Sequence, residues 1–202
     1  MVEDEYSHIA NTLAKQGYIV VEDFIDAGLT KQLYHHVTSL PASQFNTAKV
    51  GRQQTAQQLE TVRNDKTVWL SNTDAVEQAY LNAMDTLRTQ LNRQLFLGLR
   101  DFEAHFAHYP PGHFYQRHVD AFRGQSNRVV SSVFYLNSDW SEQDKGQLIL
   151  YQPDGKTRLQ RVLPCFGTLV LFLSEQFPHE VLAAKRDRYS IAGWFRTDAI
   201  LL

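Results

Sequence analysis

From residue 101 onward the sequence falls into short apolar runs with a period of two, separated by turn signals and by no helical pattern. DFEAHFAHY alternates Phe102, Ala104 and Phe106 with polar neighbours; RVVSSVFYL, QLILYQ, RLQRVL, GTLVLFLS and YSIAGWFR follow, with PPG, NSD, PDG and PCFG between or near them. Successive side chains of a strand point to opposite faces, so each run supplies a half-buried strand. About six or seven such strands with no helices between them imply a sandwich or jelly roll.

The first hundred residues keep a different period. Residues 5–16 set Tyr6, Ile9, Ala10 and Leu13 on one face and stop before Gly17, which predicts an amphipathic helix ended by a left-handed glycine. YIVVEDFI, residues 18–25, suits a strand. Leu29, Leu33 and Val37 recur every four residues and predict a second helix from near Asp26. Residues 41–60 carry Pro41 and many polar side chains without a period, and read as a loop leading to a strand near Thr67 to Leu70. The longest helix is expected from Asp74, with Glu77 as its capping partner, through Val76, Tyr80, Leu87, Leu91 and Leu95 to Gly98. The expected fold class is α+β, mainly β: one domain over 1–202, with 1–100 forming a helical buttress and loop region and 101–197 a jelly-roll core.

A chain of 202 residues is long enough for one sizeable core and too short for two full-sized domains. Its net charge of -2 and the lack of a dense Lys/Arg run argue against nucleic acid as a partner. The longest apolar run is too short to span a bilayer, and the acidic start MVEDEYSHIA does not read as a signal peptide, so no membrane association is expected. A lone cysteine, Cys165, excludes an intramolecular disulfide and fits a reducing compartment; the expected location is the cytoplasm. Cys165 itself, next to a turn, reads as a small core residue.

The stretch HYPPGHFYQRHVDAF, residues 108–122, carries the chemistry. Positions i and i+2 of a strand share a face, so His118 and Asp120 can aim an imidazole and a carboxylate at one ion. With eight histidines and thirteen aspartates, His-x-Asp arises by chance about 0.5 times, so the spacing alone does not separate a metal site from a surface pair. His179 follows in EQFPHEV, after the strand GTLVLFLS. Two histidines and one carboxylate leave three positions of an octahedral ion open, a facial arrangement suited to iron(II) rather than to closed structural zinc. Arg188 comes nine residues later, and a guanidinium at the foot of such a pocket can grip a carboxylate through two parallel hydrogen bonds. His105, His108 and His113 are expected outside the ion's coordination shell, and His35-His36 on the surface of a helix.

In this order and spacing, His118-x-Asp120, His179 and Arg188, with YPPG ahead, SSVFYLNSDW inside and RYSIAGWF at the close, resemble the 2-oxoglutarate and iron(II)-dependent prolyl 4-hydroxylases. Within them the likeness is strongest to the hypoxia-inducible-factor prolyl hydroxylases and their short bacterial relatives, and it covers residues 62–197. The resemblance implies a double-stranded β-helix. It implies His118, Asp120 and His179 as iron ligands, Arg188 and Tyr135 as partners of the distal carboxylate of 2-oxoglutarate, and Tyr109 beside that co-substrate. On the substrate side it implies Trp194 as an aromatic wall, with Arg63 and Asp65 of VRNDKTVWL and Arg128. Plain structural readings stand beside these: Tyr135 and Trp194 as core residues, Asp65 and Arg128 as a solvated surface pair.

The implied cofactors are Fe(II) and 2-oxoglutarate, with ascorbate a candidate stimulant. The implied reaction is trans-4-hydroxylation of a prolyl residue in a protein, using O2, beneath a lid formed by residues 41–66. In the bacterial relatives the substrate is elongation factor Tu, which makes that factor the first candidate partner. The sequence departs from the family at Lys145, where paired glycines are common, and at Ala192, where the human enzymes have threonine. Two other readings compete: an oxygenase acting on a small molecule or free amino acid, and a non-catalytic 2-oxoglutarate-binding sensor.

Overall fold

The computed structural model describes residues 3–47, 62–122, 124 and 126–198. Three helices come from the first half: α1 (Glu3–Gln16), α2 (Ala27–Ser39) and α3 (Ala75–Leu95). Ile9, Ala10 and Leu13 of α1 are buried, and Gly17 ends the helix at φ +80, its N–H bonded to the Leu13 carbonyl. A Cβ at Gly17 would also lie 2.7 Å from the Phe177 ring, so glycine is required twice over. Asp26 caps α2 by accepting from Gly28 and Leu29 N–H; Asp74 caps α3 by accepting from Val76 and Glu77 N–H.

Two details of the helices depart from expectation. Glu77 does not reach back to its cap. It is buried, accepts from Ser71 N–H at 2.6 Å and meets His36 Nε2 at 2.9 Å, so it ties α3 to α2, and His36 is a partly buried packing residue rather than a surface one. The end of α3 comes at Leu95, short of Gly98, because Phe96 takes a left-handed conformation and the Asn92 amide holds both the N–H and the carbonyl of Leu99.

Eleven strands complete the described residues: β1 (Tyr18–Val21), β2 (Asn46–Thr47), β3 (Lys66–Trp69), β4 (Asp101–Tyr109), β5 (Tyr115–His118), β6 (Arg128–Tyr135), β7 (Leu148–Tyr151), β8 (Arg158–Val162), β9 (Leu169–Leu173), β10 (His179–Val181) and β11 (Arg188–Arg196). They form a seven-stranded sheet in the order β1-β9-β6-β11-β4-β3-β2 and a four-stranded sheet in the order β5-β10-β7-β8, antiparallel between strands throughout. The expected strand at 18–25 is cut short after Val21 by a turn with Asp23 at φ 49. The lid expected at 41–66 falls largely on residues 48–61, outside the described residues. Among the described residues no helix is long and apolar enough to cross a membrane.

The large sheet has two faces with different work. Ala104 and Phe106 of β4, Ile191 and Phe195 of β11, and Phe134 of β6 face the helices and share a core with Leu33, Tyr80, Met84 and Leu87. The opposite face looks across to the small sheet, where Ala107, Tyr109, Tyr135 and Phe172 pack with Leu148 and Leu150. The polar residues of DFEAHFAHY therefore do not all face water: His105 is only 3% exposed, inside the mouth between the sheets.

Candidate metal centre

His118 and His179 meet because β5 and β10 are antiparallel neighbours with these two residues directly paired. The imidazole centroids lie 4.2 Å apart. Asp120 does not share their strand: β5 ends at His118, and the chain bends so that the carboxylate swings back between the rings. The two residues expected from i, i+2 spacing do come together, but through a turn rather than a pleat. Asp120 Oδ1 lies 3.5 Å from His118 Nε2 and Oδ2 lies 3.6 Å from His179 Nε2. One ligand atom from each of the three residues falls within 4.8 Å of the others, and this is the group able to hold a metal ion among the described residues.

Backbone carbonyls fix both rings. His118 Nδ1 is 2.8 Å from the Gln116 carbonyl and His179 Nδ1 is 3.0 Å from that of Phe177. A carbonyl only accepts, so each Nδ1 carries the hydrogen and each Nε2 presents a lone pair to the cluster. Tyr115 stacks on His118 at 3.6 Å, Phe172 packs edge-on to His179 at 4.7 Å, and Ser131 Oγ donates to Asp120 Oδ2 at 2.6 Å while touching Ser174 Oγ. Burial, reinforced by His118, lowers the His179 pKa to about 4. Burial pushes Asp120 upward, but His179, His118 and the Ser131 hydroxyl outweigh it and hold the carboxyl well below its usual range. At neutral pH a neutral His179 and an ionised Asp120 stand ready for a divalent cation, and two imidazoles with one carboxylate suit iron(II) with open positions.

Arg188 opens β11 and is 1% exposed. Its Nε donates to the Gly146 carbonyl at 2.9 Å and its Nη1 to Ser190 Oγ at 3.3 Å, while Nη2 has no partner. Tyr109 and Tyr135 flank the guanidinium, with ring centroids 5.0 and 5.1 Å from its carbon, and the buried Tyr135 hydroxyl also lacks a partner. Burial lifts the Tyr135 phenol to about 12, against the pull of the Arg188 charge. A buried guanidinium satisfied only by a carbonyl and a hydroxyl carries an uncompensated charge, which costs several kcal/mol unless an anion arrives. The free Nη2 and the Tyr135 hydroxyl fit a carboxylate.

Around the mouth, expectation and geometry part in places. Asp65 is fully buried and takes both oxygens to Arg63, at 2.5 and 2.8 Å. Burial works against the Arg63 charge, and the Asp65 carboxylate overrides it. Arg128 instead bonds Glu103 at 2.9 Å and lies over the Trp194 ring at 3.6 Å, so Asp65 and Arg128 are not the solvated pair of the plain reading. Arg63 sits 4.6 Å over Tyr115 and forms a β-bridge with it, which ties the 62–65 segment to the strand that carries His118. Trp194 is 8% exposed, its indole N–H unpartnered. His108 pairs with Asp187 and His113 with the Asn64 carbonyl, both apart from the triad as expected. Cys165 is partly buried near the Trp140 carbonyl, less deeply placed than a core residue.

Sequence reasoning missed Tyr115, Ser131 and Glu103. Tyr115 stands three residues from His118, a spacing that no strand pattern selects, and the Ser131 contact depends on a loop fold that the sequence does not display.

The profile of the 2OG-Fe(II) oxygenase superfamily matches residues 104–196. Human egl nine homolog 1 is 29% identical over 196 residues, which span 93% of this chain and 46% of that protein, and rat egl nine homolog 1 is 29% identical over 57% of its length. The chain thus spans about half the length of these relatives. The crystal structure of a Pseudomonas putida prolyl-4-hydroxylase superposes with a TM-score of 0.86 at 41% identity, covering 96% of this chain and 100% of the other. A prolyl hydroxylase from Trichoplax adhaerens, in complex with a hypoxia inducible factor oxygen degradation domain peptide fragment, superposes with a TM-score of 0.85 at 27% identity, over 97% of this chain and 90% of the other.

Proposed function

Because this chain belongs to the 2OG-Fe(II) oxygenase superfamily and, within it, to the prolyl hydroxylases, we propose that it hydroxylates a prolyl residue at the trans-4 position in a protein substrate. When bound, iron(II) and 2-oxoglutarate supply the oxidising chemistry: O2 is activated, 2-oxoglutarate leaves as succinate and carbon dioxide, and one oxygen atom enters a substrate C–H bond.

His118, Asp120 and His179 would hold the iron, with their donor atoms pre-set by the Gln116 and Phe177 carbonyls and by Ser131. Arg188 Nη2 and the Tyr135 hydroxyl would take the distal carboxylate of 2-oxoglutarate, and Tyr109 would wall the co-substrate. The observation that carries this reading is the coincidence of a metal-competent triad with a buried guanidinium whose Nη2 is unpartnered and a buried phenol that is unpartnered too, in one inter-sheet space. An intact triad also weighs against a sensor without chemistry.

A protein substrate is supported by the rim. Trp69 and Phe122 are 54% and 68% exposed, on β3 and two residues past Asp120, and large exposed aromatics beside a site favour a peptide over a small molecule. Arg63, Asp65, Arg128 and Trp194 would line the substrate side. Elongation factor Tu, the substrate that the resemblance to the short bacterial relatives implies, is the first candidate.

Adding iron(II) and 2-oxoglutarate without oxygen should produce a weak visible charge-transfer band that is lost in His179→Ala. Admitting air with the right protein should yield succinate and a gain of one oxygen on a proline by mass spectrometry. Absence of both band and succinate rejects the oxygenase reading; oxygen added only to free proline rejects the protein substrate.

A further inference from the structure

The site-facing residues of β4 are Glu103, His105, Ala107 and Tyr109, in register with Trp194, Ala192, Ser190 and Arg188 of β11. His105 has no part in the roles assigned above. It is nine-tenths or more buried, and neither ring nitrogen has a hydrogen-bond partner. The ring stands between Trp69, edge-on at 5.1 Å, and Trp194, tilted at 5.5 Å. Across the strand pair it meets Ala192, whose methyl offers it no polar partner, and the buried Trp194 Nε1 is unpartnered as well.

An unsatisfied buried polar group is costly, and a leucine or phenylalanine would pack between two indoles without that cost. The charges of Arg63, Asp65, Arg128 and Asp120 all act on His105, which sets it inside the mouth rather than behind it. Burial first, then Arg63, drive its pKa down to about 3, so the ring is neutral, with one N–H donor and one acceptor nitrogen.

We propose that His105 is a substrate-binding residue that, together with Trp194 Nε1, hydrogen-bonds the peptide backbone of the segment carrying the target proline. The inventory matches: a peptide carbonyl has two lone pairs for the indole and imidazole N–H groups, and a backbone N–H can serve the other imidazole nitrogen. His105 thereby selects a polypeptide over a free amino acid, and the inference rests on the prolyl hydroxylase reading above.

The test uses the full chain loaded with iron(II) and 2-oxoglutarate in the absence of oxygen. The probes are short synthetic peptides, each with one central proline, and free proline. Wild type should retain a subset of the peptides. His105→Phe, which keeps the aromatic packing, should weaken the best of them by about tenfold, and His105→Gln, which restores a donor and an acceptor, should recover most of the loss. The visible iron–2-oxoglutarate band serves as the fold control for each variant. Equal peptide affinity in wild type and His105→Phe overturns the proposal, as does an equal loss in both variants, which would mark a packing role. If wild type itself binds free proline and no peptide, the protein-substrate reading fails, and this inference falls with it; that outcome is seen without any variant.

Discussion

Arg188 is the largest fully buried side chain in the described protein, and its three nitrogens do three different things. Nε and Nη1 bond Gly146 and Ser190, which aims Nη2 at the space beside Tyr135. A lysine carries one compact charge and cannot satisfy all three directions. Arg188→Lys should therefore raise the Michaelis constant for 2-oxoglutarate by about tenfold or more while iron(II) is still bound, measured by succinate formation and metal content. An unchanged constant would contradict the placement of the co-substrate's carboxylate. Lys145, just before the glycine that Arg188 bonds, has φ 57 and ψ -144, a region that glycine alone enters freely. Its side chain is exposed, and its carbonyl accepts from the Trp140 indole N–H. Replacing it with the glycine common in the family relieves strain of roughly 1–3 kcal/mol and concedes about 1 kcal/mol of unfolded-chain entropy. Lys145→Gly should thus stabilise the protein by about 1 kcal/mol, read as a rise of roughly 2–4 °C in Tm.

At the level of elements, what could be read from the sequence followed from how strongly each element is patterned. The three helices and the strands β4, β6, β7, β8, β9 and β11 were legible because each buries an apolar face of regular period. Besides β2, which lies in the segment read as a loop, the strands that periodicity did not single out are β5 and β10, YQRH and HEV. They carry the triad histidines, and their residues were chosen for donors and aromatic packing rather than for a hydrophobic face, so periodicity is silent where chemistry is densest. The residues His118, Asp120, His179 and Arg188 were legible by type and spacing. Their supports were not, because Ser131, Tyr115 and Glu103 reach the site through tertiary register: Ser131 lies on β6 opposite Trp194, and Glu103 on β4 opposite the same residue. Glu77 and His36 show the same limit in the helices, since a residue placed to cap α3 instead joins it to α2.

For the molecule as a whole, a site kept ready for metal and substrate implies a stability that depends on pH. His105 is neutral in the fold, its pKa lowered from 6.5 to about 3 by burial and the nearby Arg63, with Arg128 acting the same way and Asp65 and Asp120 opposing. The apo protein's His179, lowered to about 4, moves in the same direction. Between about pH 6.5 and these lower values the unfolded chain binds protons that the folded chain refuses, so stability rises with pH across that window. The stabilisation is complete above the unfolded histidine value and is lost as pH falls toward 4. The unfolding free energy of the metal-free protein, from urea titrations, should drop by an amount on the order of a few kcal/mol between pH 7 and pH 5. His105→Phe removes one of the two groups, and its pH slope should be visibly shallower than that of wild type. A slope left unchanged by that substitution would mean that His105 takes up its proton in the fold as readily as in the unfolded chain, against its burial between two indoles.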